Sequence, residues 1–163
     1  MNKTRWSAQK NRGFTLIELM VTLTVLAIIT MIATPSLASA LENQKLKQAA
    51  IELKTSLQQA RSQAVLTSSE HVVCPLTANT TQASCGKALQ NYENLTENQK
   101  NQKVSLVSFD DKVQMTSDSA TAITFTAQGY TTQQTIGLCA SERSYLITVY
   151  MPGHVDVVQG DAC

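Results

Sequence analysis

The sequence has little that would serve catalysis or phosphate binding. Its two histidines, His71 and His154, lie in no motif with a neighbouring serine or cysteine nucleophile. It has no glycine-rich phosphate loop, and its one telling pair of carboxylates, Asp110 and Asp111, has the sequence of a turn. These absences argue against an enzyme, and we expect no catalytic residue, no metal centre and no cofactor.

The chain also lacks an excess of basic residues once its first 13 residues are set aside. Four of its 13 lysines and arginines lie before Gly13, and none of its 12 acidic residues does. The remaining nine basic and 12 acidic residues give a formal net charge of −3. Non-specific binding to nucleic acid depends on basic side chains that neutralise phosphates, so this charge argues against DNA as a partner.

Charged residues are missing from one long stretch near the N-terminus. No Asp, Glu, Lys or Arg occurs between Glu18 and Glu42. Residues 14–40 are apolar on all sides of a helix and exceed the roughly 20 residues needed to cross a bilayer. Residues 1–13 are polar and basic, which predicts a targeting leader on the cytoplasmic side. We therefore expect one transmembrane segment, with residues 41–163 forming an exported domain.

The single acidic residue at the start of this segment, Glu18, is its most informative feature. A carboxylate near mid-bilayer costs roughly 2.5–3.5 kcal/mol on insertion scales, so such residues usually have a partner and a function. Residues 12–19 around it are Arg-Gly-Phe-Thr-Leu-Ile-Glu-Leu. This octet resembles the prepilin processing motif of type IV pilins and of the pseudopilins of type II secretion.

The resemblance implies a processing pathway and a set of partners. Prepilin peptidase would cleave after Gly13, the new terminal Phe14 would be N-methylated, and the chain would assemble with other minor and major pilins or pseudopilins. Glu18 and Pro35 would then act in assembly, since pilins commonly carry a proline at the corresponding place. A proline inside a helix removes a backbone donor and clashes with the preceding turn, which predicts a kink at Pro35.

A signal-peptidase site is the alternative interpretation of the same stretch. Ala38-Ser39-Ala40 matches the A-x-A pattern, and cleavage there would release a soluble periplasmic domain that begins at Leu41. The apolar core is long for a signal peptide, and the helical pattern continues past Ala40 without a break. Both features favour a membrane-anchored chain.

Apolar residues recur every three or four positions within residues 41–67. This spacing places them on one side of a helix, with most charged side chains on the others. We expect this stripe to pack on the chain's own domain; coiled-coil pairing with another protein is the alternative. The stripe consists of Leu46, Ala50, Leu53, Leu57, Ala60 and Ala64.

Short strand patterns separated by turn residues occupy the remainder of the chain, residues 70–163. Asp110-Asp111 predicts a hairpin, and Gly129 and Gly153 mark further turns. The polar residues 77–102 are expected to be irregular. Short strands joined by tight turns predict an antiparallel sheet, so the expected fold class is α+β, with a long N-terminal helix, half membrane and half amphipathic, on an antiparallel sheet. The predicted strands are residues 71–76, 104–109, 112–116, 122–126, 135–140, 144–150 and 154–158.

All four cysteines lie in the expected exported domain, where an oxidising compartment favours disulfides. Four cysteines allow three pairings. The pairs Cys74–Cys85 and Cys139–Cys163 are favoured because each closes a local loop. A zinc site formed by His71 and Cys74 is the alternative, and the lack of a second close pair of ligands argues against it.

The second half of the chain carries a looser resemblance. The segments 123–125, 136–139 and 146–149, with Gly129 and Gly153 between and after them, look like the GspH/FimT family of minor pilins and pseudopilins. Some FimT-like minor pilins resemble DNA receptors with a Gly-Arg-x-Arg motif in the last hairpin. The matching residues here are Gly153-His154-Val155-Asp156. Asp would repel a phosphate that Arg would bind, so a DNA site at Gly153 and His154 is doubtful.

Taken together, the two resemblances imply a pilin fold and a minor type IV pilin of the FimT/FimU-like kind. Such a subunit would help to initiate or cap pilus assembly. A minor GspH-like pseudopilin of a type II secretion system shares the fold and the processing and is the alternative. The implied location is the bacterial inner membrane, with a single pass and a periplasmic domain, and the pilus or pseudopilus after assembly.

Overall fold

The computed structural model describes residues 14–163, apart from the side chains of residues 33–36. The chain divides into two compact units, with the boundary between Ala38 and Ser39. One helix, α1 (Leu16–Thr67), contributes residues to both units. The predicted leader, residues 1–13, lies outside the described residues.

Helix α1 forms where 52 residues contain no glycine and a single proline. It begins after Thr15, whose hydroxyl accepts a hydrogen bond from the Glu18 N–H at 3.3 Å, as in a helix N-cap. It ends at Thr67, because the next residue, Ser68, adopts a left-handed φ of 48°. The Ser68 N–H then donates to the Val65 carbonyl at 3.3 Å.

Seven short strands follow the helix and form two sheets. Sheet A has the order β2-β1-β4, and sheet B has the order β3-β5-β6-β7. A long helix packed on β-sheets confirms the α+β fold class. The strands are β1 (His71–Pro75), β2 (Val104–Val107), β3 (Gln114–Met115), β4 (Ile123–Phe125), β5 (Gln134–Ala140), β6 (Arg143–Val149) and β7 (Val155–Gly160).

Pairing is antiparallel throughout sheet B but mixed in sheet A. Strand β1 is antiparallel to β4, with Val72 opposite Thr124, yet parallel to β2, with Val72 opposite Val104. Parallel neighbours need a crossover connection rather than a tight turn, and residues 76–103 supply it. The expectation of a purely antiparallel sheet is corrected to this extent.

The hairpin predicted at Asp110-Asp111 is wrong, because β2 and β3 on either side of it belong to different sheets. The turn itself forms: the Val113 N–H donates to the Asp110 carbonyl at 2.8 Å, and the Lys112 N–H donates to the Asp110 carboxylate at 3.1 Å. That carboxylate also pairs with Lys45 of α1 at 2.9 Å. The bond from Lys45 is the main reason that the pKa of Asp110 lies below its usual value. Asp110 therefore ties a turn to the helix.

The crossover was expected to be irregular, and it contains short helices instead. Two of them begin with a capping box, in which a threonine and the residue three positions later exchange side-chain and backbone hydrogen bonds. Thr81 and Ser84 form one box, and Thr96 and Gln99 form the other. The helices are α2 (Gln82–Gly86), a 3-10 turn (Tyr92–Asn94) and α3 (Glu97–Lys103).

The main core lies between the second part of α1 and the two sheets. All six residues of the stripe predicted on residues 41–67 are in it, and each is at most 3% exposed. Phe125 of β4 and Ile147 of β6 are among the fully buried side chains that belong to the same core as this stripe. A smaller core, which includes Val72 and Tyr92, lies beneath the crossover. The stripe therefore packs on its own domain, as predicted.

Candidate assembly site and the last hairpin

The first turn of α1 places the two residues singled out near the N-terminus. Phe14 is 84% exposed, and Glu18 is exposed in the first helical turn, where a negative charge is favourable to the helix dipole. Within the described part of the chain, Glu18 has no salt-bridge partner. The pattern Thr15-x-x-Glu18 is a capping-box signal, so Thr15 could have been predicted from the sequence as the N-cap residue of α1.

The helix beyond Glu18 exposes apolar side chains on all sides up to Ile32. Its threonines are satisfied locally: the hydroxyls of Thr22 and Thr24 donate to the carbonyls three residues earlier, at 2.9 and 2.8 Å. An exposed apolar surface of this extent is typical of a segment covered by lipid or by other protein chains. The large exposed side chains include Leu16, Ile17, Leu19, Met20, Val21, Leu23, Val25, Leu26, Ile28, Ile29 and Met31.

Within residues 14–163, no single helix is long and apolar enough to qualify as a membrane span. The helical segments Leu16–Ile32 and Leu37–Thr67, which are separated by a break, qualify by length and composition when they are taken together. Pro35 falls in this break, among the residues whose side chains are not described. Gly13, the predicted cleavage residue, lies outside the described residues. Their roles therefore stay predictions.

The structure pairs Cys74 with Cys85 and Cys139 with Cys163, the two pairs that the sequence favoured. The first bridge ties β1 to α2 and so holds the start of the crossover against sheet A. Since Cys74 is bonded to Cys85, it is not available as the zinc ligand considered beside His71. Among the described residues, no group of three or more His, Cys, Asp or Glu side chains could hold a metal ion.

The second bridge crosses sheet B. Cys139 of β5 lies opposite Ser144 of β6, which lies opposite Gly160 of β7. The residues after β7 continue past Ser144, whose hydroxyl donates to the Asp161 carbonyl. Cys163 then forms the disulfide with Cys139. The bridge thus joins β5 to the chain beyond β7 across the intervening strand.

Gly153 occupies the turn between β6 and β7, as predicted, and has a φ of 77°. A side chain there would adopt an unfavourable left-handed conformation and would collide with Arg61 and with the Gly129 carbonyl. Arg61 of α1 lies under both turns, and its Nε donates to the Gly129 carbonyl at 3.2 Å. The glycine is therefore required by packing. Sequence reasoning placed most charged side chains of this helix off the apolar stripe, did not single out Arg61, and missed this contact.

The other residues of the last hairpin do not form a basic surface. His154 is exposed and stacks on Tyr150, with ring centroids 6.3 Å apart. Asp156 occupies the position of the second arginine in the DNA-receptor motif, and its carboxylate accepts the Val157 N–H at 2.9 Å. Gly153, His154 and Asp156 lie together but themselves offer phosphate one carboxylate and no guanidinium, and the nearby Arg61 donates its Nε to the Gly129 carbonyl.

His71 is buried at the start of β1, 2% exposed. Burial lowers the pKa of His71 below its usual 6.5, and the positive charge of Lys103 acts in the same direction. Its Nδ1 lies 3.3 Å from the Ser69 carbonyl, which opposes that shift when Nδ1 carries the proton. His71 is thus a neutral side chain of the domain interior.

Comparison with known families decides what kind of chain this is. The family model for the type II transport protein GspH matches residues 49–153, and the model for the prokaryotic N-terminal methylation motif matches residues 8–34. The chain belongs to the GspH family. This GspH-family protein is accordingly a pilin-type subunit, and its N-terminal motif implies membrane-anchored assembly. The family is one of structural subunits.

Two solved structures of the type IV minor pilin FimU of Pseudomonas aeruginosa (strain PAO1) are similar to this GspH-family protein. One has a TM-score of 0.49 at 17% identity, and the match covers 75% of this chain and 97% of the chain in that crystal structure. The other has a TM-score of 0.47 at 18% identity, and the match covers 72% of this chain and 99% of the chain in that crystal structure. No curated protein matches the chain significantly.

Proposed function

We propose that this protein is a minor type IV pilin that helps to initiate or cap a pilus, anchored by a single pass in the inner membrane with its domain in the periplasm. The observation that carries the proposal is the first turn of α1. There, an exposed Phe14 and an exposed Glu18 stand at the start of a helix whose apolar side chains are uncovered, within a matched methylation motif.

The charge of Glu18 explains how subunits would recognise one another. After cleavage behind Gly13, the methylated amine of Phe14 would be the one positive group beside an apolar helix. Glu18 of a neighbouring subunit would pair with it, because two opposite charges relieve each other in a low dielectric, whereas each alone is unfavourable. Prepilin peptidase and other pilins are the partners that this scheme requires.

The test compares Glu18→Ala with Glu52→Ala, which removes another exposed carboxylate from α1. We expect both variants to be processed to a chain that begins at Phe14, as shown by intact mass, and only Glu18→Ala to be lost from sheared filaments. Filament incorporation of Glu18→Ala at the level of the control would contradict the proposal. A mature chain that begins at Leu41 would contradict the anchor itself.

A minor pseudopilin of a type II secretion system is the second candidate, favoured by the family model of the type II transport protein GspH. The two systems differ in what is lost when the gene is deleted. Loss of surface pili with normal protein secretion supports the pilus, and loss of secreted proteins with normal pili supports the secretion system. Complementation with the Glu18→Ala variant provides the control in either case.

A further inference from the structure

We propose that the groove beside β4 binds a compact, neutral acetamido sugar. The groove has a volume of about 400 Å³ and is lined by residues of the domain, none of them from α1. Its lining includes four threonine hydroxyls, a phenol and a carboxamide, and no charged side chain among the described residues. These groups belong to Thr124, Thr126, Thr131, Thr132, Tyr130 and Gln134.

One wall of the groove presents unpaired main-chain groups. The Leu76 N–H donates to the Val107 carbonyl at 2.7 Å, so the main-chain N–H and C=O groups of the even-numbered residues of β1 point toward β2. The main-chain groups of the odd-numbered residues point toward β4, where they form hydrogen bonds with Ile123 and Phe125, the residues opposite them in the register. The N–H and C=O of Thr124 consequently point away from β1, toward the free edge of sheet A.

The opposite wall is the segment that leads into β5, and hydrogen bonds close the groove at both ends. The Ala120 N–H donates to the Thr135 carbonyl, and the Thr126 N–H donates to the Tyr130 carbonyl, both at 2.9 Å. Between these points, within the described residues, no hydrogen bond joins the Thr124 main chain to residues 131–134. A groove closed at both ends fits a compact ligand better than a strand that runs through it.

A buried acceptor in the lining defines the missing chemistry. The Nε2 of Gln134 donates to the Thr132 hydroxyl at 3.2 Å, while its Oε1 is buried and has no partner among the described residues. A buried acceptor without a donor is unfavourable. Rotation of the Gln134 side chain would bring this oxygen to the groove, where a ligand N–H or O–H would remove that penalty.

An acetamido sugar supplies the complementary groups together. Its amide N–H and C=O match the Gln134 acceptor and the Thr124 main chain. Its hydroxyls can accept from Thr126 and Thr132, whose hydroxyls each accept one internal hydrogen bond and keep their own proton to donate. Tyr130, 56% exposed, offers a ring face for the apolar side of the sugar. The absence of charge from the lining disfavours phosphates, nucleotides and charged peptides.

Both edges of sheet B show means of protection. The edge amide of Val157 on β7 is taken by the Asp156 carboxylate, and β3 is only two residues long. Charged side chains and very short strands are the usual means of blunting an edge. Strand β4, three residues long, carries no charged side chain, and among the described residues no main-chain hydrogen bond covers the outer side of Thr124.

The test is a titration of the isotope-labelled full-length chain in lipid nanodiscs with N-acetylglucosamine, followed by amide NMR shifts. We expect saturable shifts confined to Thr124, Thr132 and Gln134 and their neighbours, with a Kd on the order of 1 mM. Glucose, which lacks the acetamide, and glucosamine, which carries a charged amine, should bind at least roughly tenfold more weakly, as expected when hydrogen-bonding groups lose their partners.

Matched variants locate the site. Gln134→Met, of similar shape, should raise the Kd at least roughly tenfold, whereas Gln159→Met on the exposed face of β7 should leave it unchanged. Thr132→Val serves as a second groove variant if Gln134→Met does not fold. Equal shifts with glucose, shifts scattered outside the groove, or tighter binding of the neutral peptide N-acetyl-Ala-Thr-Ala-amide would overturn the proposal. Since no residue of α1 lines the groove, a failure of the sugar titration would leave the Glu18 test unaffected. A failure of the Glu18 test would likewise leave the sugar proposal unaffected.

Discussion

Removing the bridge across sheet B should lower stability mainly through the unfolded chain. In the double variant Cys139→Ser/Cys163→Ser, strand β7 keeps its full ladder with β6 up to Gly160. Besides the bridge itself, only the residues after β7 are released, and the main interaction at risk there is the bond from Ser144 to the Asp161 carbonyl. The folded domain should therefore change little, while the unfolded chain gains conformational freedom.

The size of the effect follows from the loop that the bridge closes. The two cysteines are 24 residues apart, and the chain-entropy relation gives about 3.5 kcal/mol for a loop of that length. The bridge Cys74–Cys85 closes only 11 residues and gives about 2.8 kcal/mol. For a domain of this size, a loss of about 3.5 kcal/mol corresponds to a fall in Tm of about 10–15 °C.

Guanidinium unfolding of the full-length protein, followed by far-UV circular dichroism, measures this loss as a shift in midpoint. Wild type and the two double-serine variants are compared without reductant, so that each variant keeps the other bridge. A loss below about 1 kcal/mol for Cys139→Ser/Cys163→Ser would refute the argument. The denaturant slope is expected to rise, because the unfolded chain without the bridge is less compact, whereas a slope that falls would show that the folded domain had been altered.

Three further predictions concern the domain and use the same unfolding assay. Leu53→Ala removes a fully buried side chain from the main core and should lower the free energy of unfolding by about 3–5 kcal/mol; a loss below about 1 kcal/mol would contradict the packing of α1 on the sheets. Gly153→Ala should lower it by at least about 1–2 kcal/mol, the penalty of the left-handed conformation alone, since its methyl group also meets Arg61; an unchanged midpoint would mean that the turn relaxes freely. Because burial lowers the pKa of His71, the unfolded chain binds the extra proton first as pH falls. Stability should thus be full above pH 6.5, decline below it and level off under the folded pKa, and His71→Leu should remove this part of the slope.

The sequence was sufficient for the parts of the fold that depend on local pattern. The spacing of Leu46, Leu53 and Leu57 follows from helix geometry alone, so the buried face of α1 could be predicted residue by residue. The turns at Gly129 and Gly153 were also predictable, because both positions have a φ of 77° that glycine adopts readily. Both the apolar spacing and the glycine turns can be recognised from residues that are close together in the sequence.

What could not be predicted depends on contacts between distant parts of the chain. Asp110-Asp111 is a true turn, but whether the flanking strands pair is decided by the rest of the domain, and β2 lies beside β1 instead. The partnership of Arg61 with the Gly129 carbonyl spans 68 residues, and no local pattern announces it. The open groove beside β4 arises in the same way, from the register of three strands.

The mixed pairing of sheet A has a consequence for the order in which the domain acquires its structure. Strands β5, β6 and β7 follow one another through short turns, so their pairing closes small loops and can form early. Val72, in contrast, must meet Val104 across the crossover and Thr124 beyond it. Such distant pairings are the slow step in folding. Sheet A is therefore expected to complete after sheet B, so a newly exported chain would expose β1 longest and need most protection there from aggregation.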